Sequence, residues 1–323
     1  MSIKTNSYSI ALLMCGVTAN IGAAEWPNRP VRVIVPFPAG GFVDFTARLI
    51  SPPLTAALGQ QVLVDNRGGA GGSVGTELAA RAAADGYTLV IGSIGTHAVN
   101  QTLYRKLPYH ALRDFQAITR ITDAPSLLAV HPSLPVKNVK ALVALAKAQP
   151  GQVLYASAGS GTSTHLAAVL FENLAQVRLV HVPYKGGGSM IVDVVAGQVP
   201  VTFGTAATVS PHVRAGRLRG LGVTGSKRAT VLPDVPTIAE AGVPSYEMLN
   251  WLGVFAPVQT PRAIVDRLNN ELLKIARAPE TKDKLNAAGA EPAPLASADF
   301  AAFVKSEMAK WAKVVAATGM TVD

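Results

Sequence analysis

The sequence predicts an α/β fold in two lobes, each a mainly parallel sheet flanked by helices, with a ligand cleft between them. Three observations carry this. Short runs of β-branched residues alternate with alanine-rich segments of helical period, the pattern of βαβ units. Hydrophobic residues make up 49% of the 323 and aromatics only 6%, so the core must be built from Val, Ile, Leu and Ala, as in buried parallel sheets. Two proline-rich passages, near residues 124 and 248, interrupt the alternation as crossings between lobes would. The first lobe is therefore expected to combine residues 25–124 with 248–323, and the second to be 125–247.

The first 24 residues stand apart. Lys4 is their one charge, residues 10–21 are mostly apolar, and Gly22, Ala23 and Ala24 place small side chains before a cut at Glu25. This is the pattern of a secretory leader, and its apolar run falls short of the roughly 20 residues a membrane span needs. Met14 is too large to precede a lipid-modified Cys15. With Cys15 in the leader, the mature chain holds no disulfide, thiolate metal site or cysteine nucleophile.

After the leader, a strand over 31–36 leads into a helix over 43–58, which Pro52 and Pro53 should kink or break. A strand over 62–66 precedes a helix over 73–84, and another strand follows over 88–92. Three strand–helix pairs come next: 127–131 with 139–148, 153–157 with 162–175, and 179–183 with 189–196. Strands over 201–204 and 218–224 end the middle region. Helices over 261–278 and 297–317 close the chain.

Lys and Arg number 29 against 20 Asp and Glu, a formal charge of +9, one less without Lys4. The basic residues are scattered or in pairs such as Arg217 with Arg219 and Lys282 with Lys284. No basic stripe interleaved with aromatics appears, so nucleic acid is not an expected partner. A positive bias of this size draws small anions.

The chemistry concentrates in strand-to-helix corners. In VIVPFPAGGFVDFTARL (from Val33), a β-branched run meets Gly40 and Gly41 and then a helix. VLYASAGSGTSTHLAAVL (from Val153) repeats the logic in the other lobe. Each corner offers bare N–H groups at a helix N-terminus, where the macrodipole contributes roughly half a positive charge, and glycine allows a ligand to approach the backbone. Ser157, Ser160, Thr162, Ser163 and Thr164 add hydroxyls. Facing each other across a cleft, the corners would hold an anion with two charged ends. On its own, the first corner also reads as a tight turn in which Asp44 caps the helix.

Other corners carry less. DNRGGAGGSVGTELAA contains Gly71-Gly72-Ser73-Val74-Gly75, formally a hydrolase elbow, but six residues separate Asn66 from Ser73 and no histidine is obviously placed as its base. GSGTST lacks the third glycine of a dinucleotide fingerprint, since Thr164 stands there. No lysine follows a glycine run as in a phosphate-binding loop, and the histidines show no metal-ligand spacing. VPYKGGGSMIVDVVAGQV is a further strand–glycine–helix junction, from which Tyr184 and Asp193 could reach the cleft.

Taken together, PFPAGGFVDFTAR, NRGGAGGSVGT, DGYTL, GSIGTHAVN, YASAGSGTSTHLA, VPYKGGG with DVVAGQV, LPDVPTIAEAG and WLGVFAP resemble the Bug-type solute receptors of tripartite tricarboxylate transporters, across essentially the whole mature chain. The resemblance implies a periplasmic-binding-protein fold of type II. It also implies a periplasmic location, no catalytic residues, no cofactor or metal, and closure on a small organic acid or related carboxylated or aromatic solute that is handed to membrane permease subunits. Carried over by position, the first-lobe loop supplies Phe37, Ala39, Gly40, Gly41, Phe42 and Asp44. The second supplies Ser157, Ala158, Gly161, Thr162, Thr164 and His165. Ser93 and Thr205, which follow the strands over 88–92 and 201–204, complete the candidate ligand-binding set. Phe42 is bulkier than the residue many such receptors carry there. A secreted hydrolase using Ser73 or Ser160, and a sensor subunit presenting its ligand to a signalling partner, are the alternatives.

Overall fold

The computed structural model describes residues 26–319 and 321. The leader and the cut before Glu25 lie outside them. The strand–helix alternation appears as β1 (Val31–Val35), α1 (Phe42–Leu58), β2 (Val62–Asn66), α2 (Ser73–Ala80) and β3 (Thr88–Ser93), followed by a helical turn and α3 (Asn100–Leu103). Then come β4 (Phe115–Val130), α4 (Val139–Ala148), β5 (Leu154–Ser157), α5 (Ser163–Ala175), β6 (Val180–Pro183), α6 (Gly187–Val195), β7 (Val201–Thr205), α7 (Ala206–Arg214) and β8 (Arg219–Val223). The chain closes with β9 (Leu249–Pro257), α8 (Arg262–Arg277), α9 (Pro279–Ala287), β10 (Glu291–Leu295) and α10 (Ser297–Thr318).

The strands run in the order β2-β1-β3-β9-β4-β7-β5-β6, with β10 and β8 also paired to β4. In one lobe β2, β1 and β3 are parallel, and in the other β6, β5 and β7 are. Between these triplets β4 and β9 run antiparallel to each other and to their neighbours, so each sheet is mixed. Strand β4 serves both lobes. Residues up to Pro125 pair with β9, while from Ser126 onward the strand pairs with β7 on one edge and, from Leu127, with β8 on the other. Pro125 stands at the handover.

Apolar helix faces cover the sheets on both sides. Ile50, Leu54 and Leu58 of α1 and Val265, Leu268 and Leu272 of α8 pack on Val31, Val33, Leu89 and Ile91. Leu166 and Phe171 of α5 and Trp311 of α10 cover the opposite face. In the second lobe Met190, Val194 and Val209 close the remaining side.

Helix α1 continues through Pro52 and Pro53 to Leu58, so the expected break does not occur. Both prolines lie on the exposed side, so the carbonyls they leave unpaired can be hydrated, while the buried Ile50–Leu54–Leu58 stripe holds the helix to the sheet. Among the described residues, no helix is long and apolar enough to cross a membrane.

Candidate functional site

The C-terminal ends of β1 and β3 face those of β5, β6 and β7 across a cavity of about 330 Å³. Four helices begin on its wall. Gly41, Phe42 and Val43 come from the start of α1, and Thr162, Ser163 and Thr164 from that of α5. Gly186 to Ser189 come from the start of α6, and Thr205 with Thr208 from that of α7. None of these helices has its N-terminus closed by a hydrogen bond from its cap side chain. First-turn N–H groups have no partner within their own helix, so the cavity is walled by orphan donors and four positive dipole ends. Lys185 is the one charged side chain among the described residues on this wall.

Each corner is braced from behind. Gly40 takes φ of +85°, a left-handed conformation that turns the chain into α1. Its N–H donates to Asp44 Oδ2 at 2.9 Å. Asn66 Nδ2 donates to Asp44 Oδ1 and to the Phe37 carbonyl, at 3.0 and 3.1 Å, and Arg48 Nε donates to Asp44 at 3.0 Å. Burial alone would raise the Asp44 pKa, but hydrogen bonds from Arg48, Gly40 and Asn66 outweigh it and hold the carboxyl below its usual range. Asp44 thus stays ionised and fixes the loop.

In the second corner, the Ala158 N–H donates to Thr164 Oγ1 at 2.8 Å, and Thr162 Oγ1 donates to the Gly159 carbonyl at 2.7 Å. The Gly159 N–H donates to Ser157 Oγ, which lies 2.6 Å from His181 Nε2. The Gly161 N–H donates to His165 Nδ1 at 3.1 Å. The His165 and His181 rings stack with centroids 4.0 Å apart. Burial lowers the pKa of His165 to about 3 and that of His181 to about 4. Neutral rings keep the lone pair that Nδ1 needs as an acceptor.

The structure therefore divides the predicted residues. Phe37, Ala39, Gly41, Phe42, Ser93, Ala158, Thr162, Thr164 and Thr205 line the cavity. Gly40, Asp44, Ser157, Gly161 and His165 stand outside its wall and shape the loops that form it. Lining residues missed from the sequence are Lys185 to Met190 and Asn250, together with Pro38, Val43, Ser163 and Thr208. The first group had a signal, the glycine run after β6. Asn250 had none, being brought in by the pairing of β9 with Ala124 of β4. The Tyr184 hydroxyl donates to the Asp193 carboxylate at 2.8 Å.

The third glycine corner borders a second cavity of about 750 Å³. There a Cβ on Gly71 would come within 2.5 Å of the Ser160 carbonyl, so the two loops approach as closely as glycine permits. Ser73 starts α2, and its hydroxyl accepts from Asn100 Nδ2 at 3.3 Å.

Residues 46–320 match the model of a family described as the tripartite tricarboxylate transporter family receptor. The chain is 36% identical to protein BugT of Bordetella pertussis, over 96% of this chain and 95% of that one. The structure of R. palustris Rpa4515 with adipate is similar at a TM-score of 0.88 and 38% identity, covering 92% of this chain and 99% of that one. MatC from Rhodopseudomonas palustris with bound malate superimposes with a TM-score of 0.84 at 32% identity, over 90% of this chain and 100% of that one.

Proposed function

Because the chain belongs to the tripartite tricarboxylate transporter receptor family, a family of solute receptors and not of enzymes, we propose that it captures a small carboxylated solute between its lobes and delivers it to a tripartite tricarboxylate-type permease. One observation supports this above the rest: among the described residues, four helix N-termini without side-chain caps converge on a cavity whose lining carries no acidic side chain. Such a wall favours an anion through backbone N–H groups and dipole ends. The adipate of Rpa4515 and the malate of MatC are small carboxylates of the kind it suits. The candidate residues that line the cavity touch the solute, and Asp44, Ser157 and His165 hold the loops in shape.

The lobes are residues 25–124 with 248–323, and 125–247, hinged where β4 and β9 pass between them. A ligand touching both lobes binds the closed state better, so it shifts the population toward closure. Titration calorimetry with short dicarboxylic acids is expected to give saturable binding, and solution scattering a smaller radius of gyration at saturation. Absence of binding to every acid tried would sink the carboxylate reading, and an unchanged radius would sink the hinge. Loss of uptake of the bound acid in cells lacking this protein tests delivery.

The protein works in the periplasm after removal of residues 1–24. N-terminal sequencing of the exported protein is expected to start at Glu25. A retained leader or a lipid on Cys15 would contradict this.

A further inference from the structure

We propose that a cavity behind the hinge sets the balance between open and closed lobes, and through it the affinity for solute. This rests on the reading of two hinged lobes and deepens it. The cavity holds about 230 Å³. Asp123 and Pro125 of β4 and Leu249 of β9 line it where the chain crosses between lobes. One wall is the loop from Gly225 to Thr230, in the second lobe, and the other is Gly289 with Glu291 to Ala293, in the first. The lobes meet closely around it. A Cβ on Gly289 would come within 2.9 Å of both Ala206 and Val231, and one on Gly225 within 3.3 Å of Leu249 Cδ2.

The register of the hinge strands places this cavity opposite the solute cavity. Asp123 pairs with Glu291 of β10, and Pro125 pairs with Leu249 of β9. All of these line the rear cavity. Ala124 pairs with Asn250 and Ser126 with Thr205, and it is Asn250 and Thr205 that line the solute cavity. Successive side chains of a strand point to opposite faces, and directly paired residues share a face. Residues 123 and 125 thus face the rear, and 124 and 126 the front. The ladder that joins the lobes lies between the two cavities. A rotation about it that draws the front walls together moves the rear walls apart. Opening the front therefore compresses the rear cavity. A side chain that fills the rear resists that compression. It raises the closed fraction of the empty receptor and so tightens solute binding.

Ser226→Trp and Ala293→Trp, one on each wall, test this. Ser226 is exposed and Ala293 half-buried, and thermal melts check that both variants fold. Gln152→Trp, at an exposed position of the second lobe away from the cavity, is the control. The measurements are calorimetry with adipate and solution scattering of the unliganded proteins. Both rear variants are expected to bind adipate about three- to tenfold more tightly than the wild type, with a smaller radius of gyration before any solute is added. The control is expected to match the wild type. Damage to the fold weakens binding, so the sign of the change separates a wedge from a lesion. Unchanged affinity and radius in both folded variants, or weaker binding in both, would overturn the proposal. A wild type that binds adipate without contracting overturns the hinged reading, and this proposal with it. If the wild type does not bind adipate, the unliganded radii decide, and rear variants no smaller than the wild type overturn the proposal.

Discussion

Gly41→Val is expected to abolish solute binding while leaving the protein folded. Gly41 is not a glycine by conformational need. Its φ of −87° and ψ of 173° are extended backbone that a β-branched residue adopts readily. A Cβ there would meet only the Pro38 carbonyl, at 3.9 Å, which is ordinary contact. The neighbouring Gly40 is different, because its φ of +85° would strain any side chain. What Gly41 does is line the cavity at the first N–H groups of α1. A valine there fills the space a carboxylate oxygen needs and shields the donors it would meet. Calorimetry beside a thermal melt separates the two roles. A normal melting temperature with no detectable heat of binding is the expected pair of results. Undiminished affinity in the folded variant would remove the first corner from the binding site.

Acid is expected to unfold the protein well above the pH at which its carboxylates titrate. His97 and His165 are buried, and burial lowers each pKa from 6.5 to about 3. His97 is stacked on Phe255 at 3.9 Å with Thr96 Oγ1 2.9 Å from its Nδ1, and has no room for a hydrated charge. Below pH 6.5 the unfolded chain binds protons at these residues and the folded chain does not. Stability is therefore complete above pH 6.5 and falls as the pH drops toward the folded values. The slope is about 1.4 kcal/mol per pH unit for each histidine, so two of them remove on the order of 5 kcal/mol between pH 6.5 and 4.5. His181 adds to the loss, and Glu172, whose pKa burial raises, offsets part of it. Urea melts across this range are expected to show a steadily falling midpoint. A flat midpoint down to pH 5 would mean that these rings are charged, or hydrated, in the native state.

Much of this was legible in the sequence, for local reasons. A β-branched run followed by glycine and hydroxyl residues specifies both a strand end and a helix start, so the corners at Gly40–Gly41 and at Ser157–Thr164 could be read in place. What was not legible depends on distant partners. Residues 115–125 extend β4 because β9 arrives to pair with them, and Pro125 disguises the continuity. The segment Glu291–Leu295 holds two prolines and becomes a strand only against β4. The direction of a polar side chain was equally hidden. Asp44 and Thr162 look alike as corner residues, and both turn their polar atoms back onto their own loops, yet of the two only Thr162 also borders the cavity. The helix through Pro52 and Pro53 survives on burial of its other face, which propensity does not see.

The long pairing of β9 with β3 and β4 bears on how the chain is made. β3 finds its antiparallel neighbour only when Leu249–Pro257 has left the ribosome, and β4 gains β10 later still. Until then the first-lobe sheet has an open edge, and the loop to be closed spans most of the middle lobe. Contacts this distant in sequence form slowly. That sheet is therefore complete only when nearly all of the chain has been made.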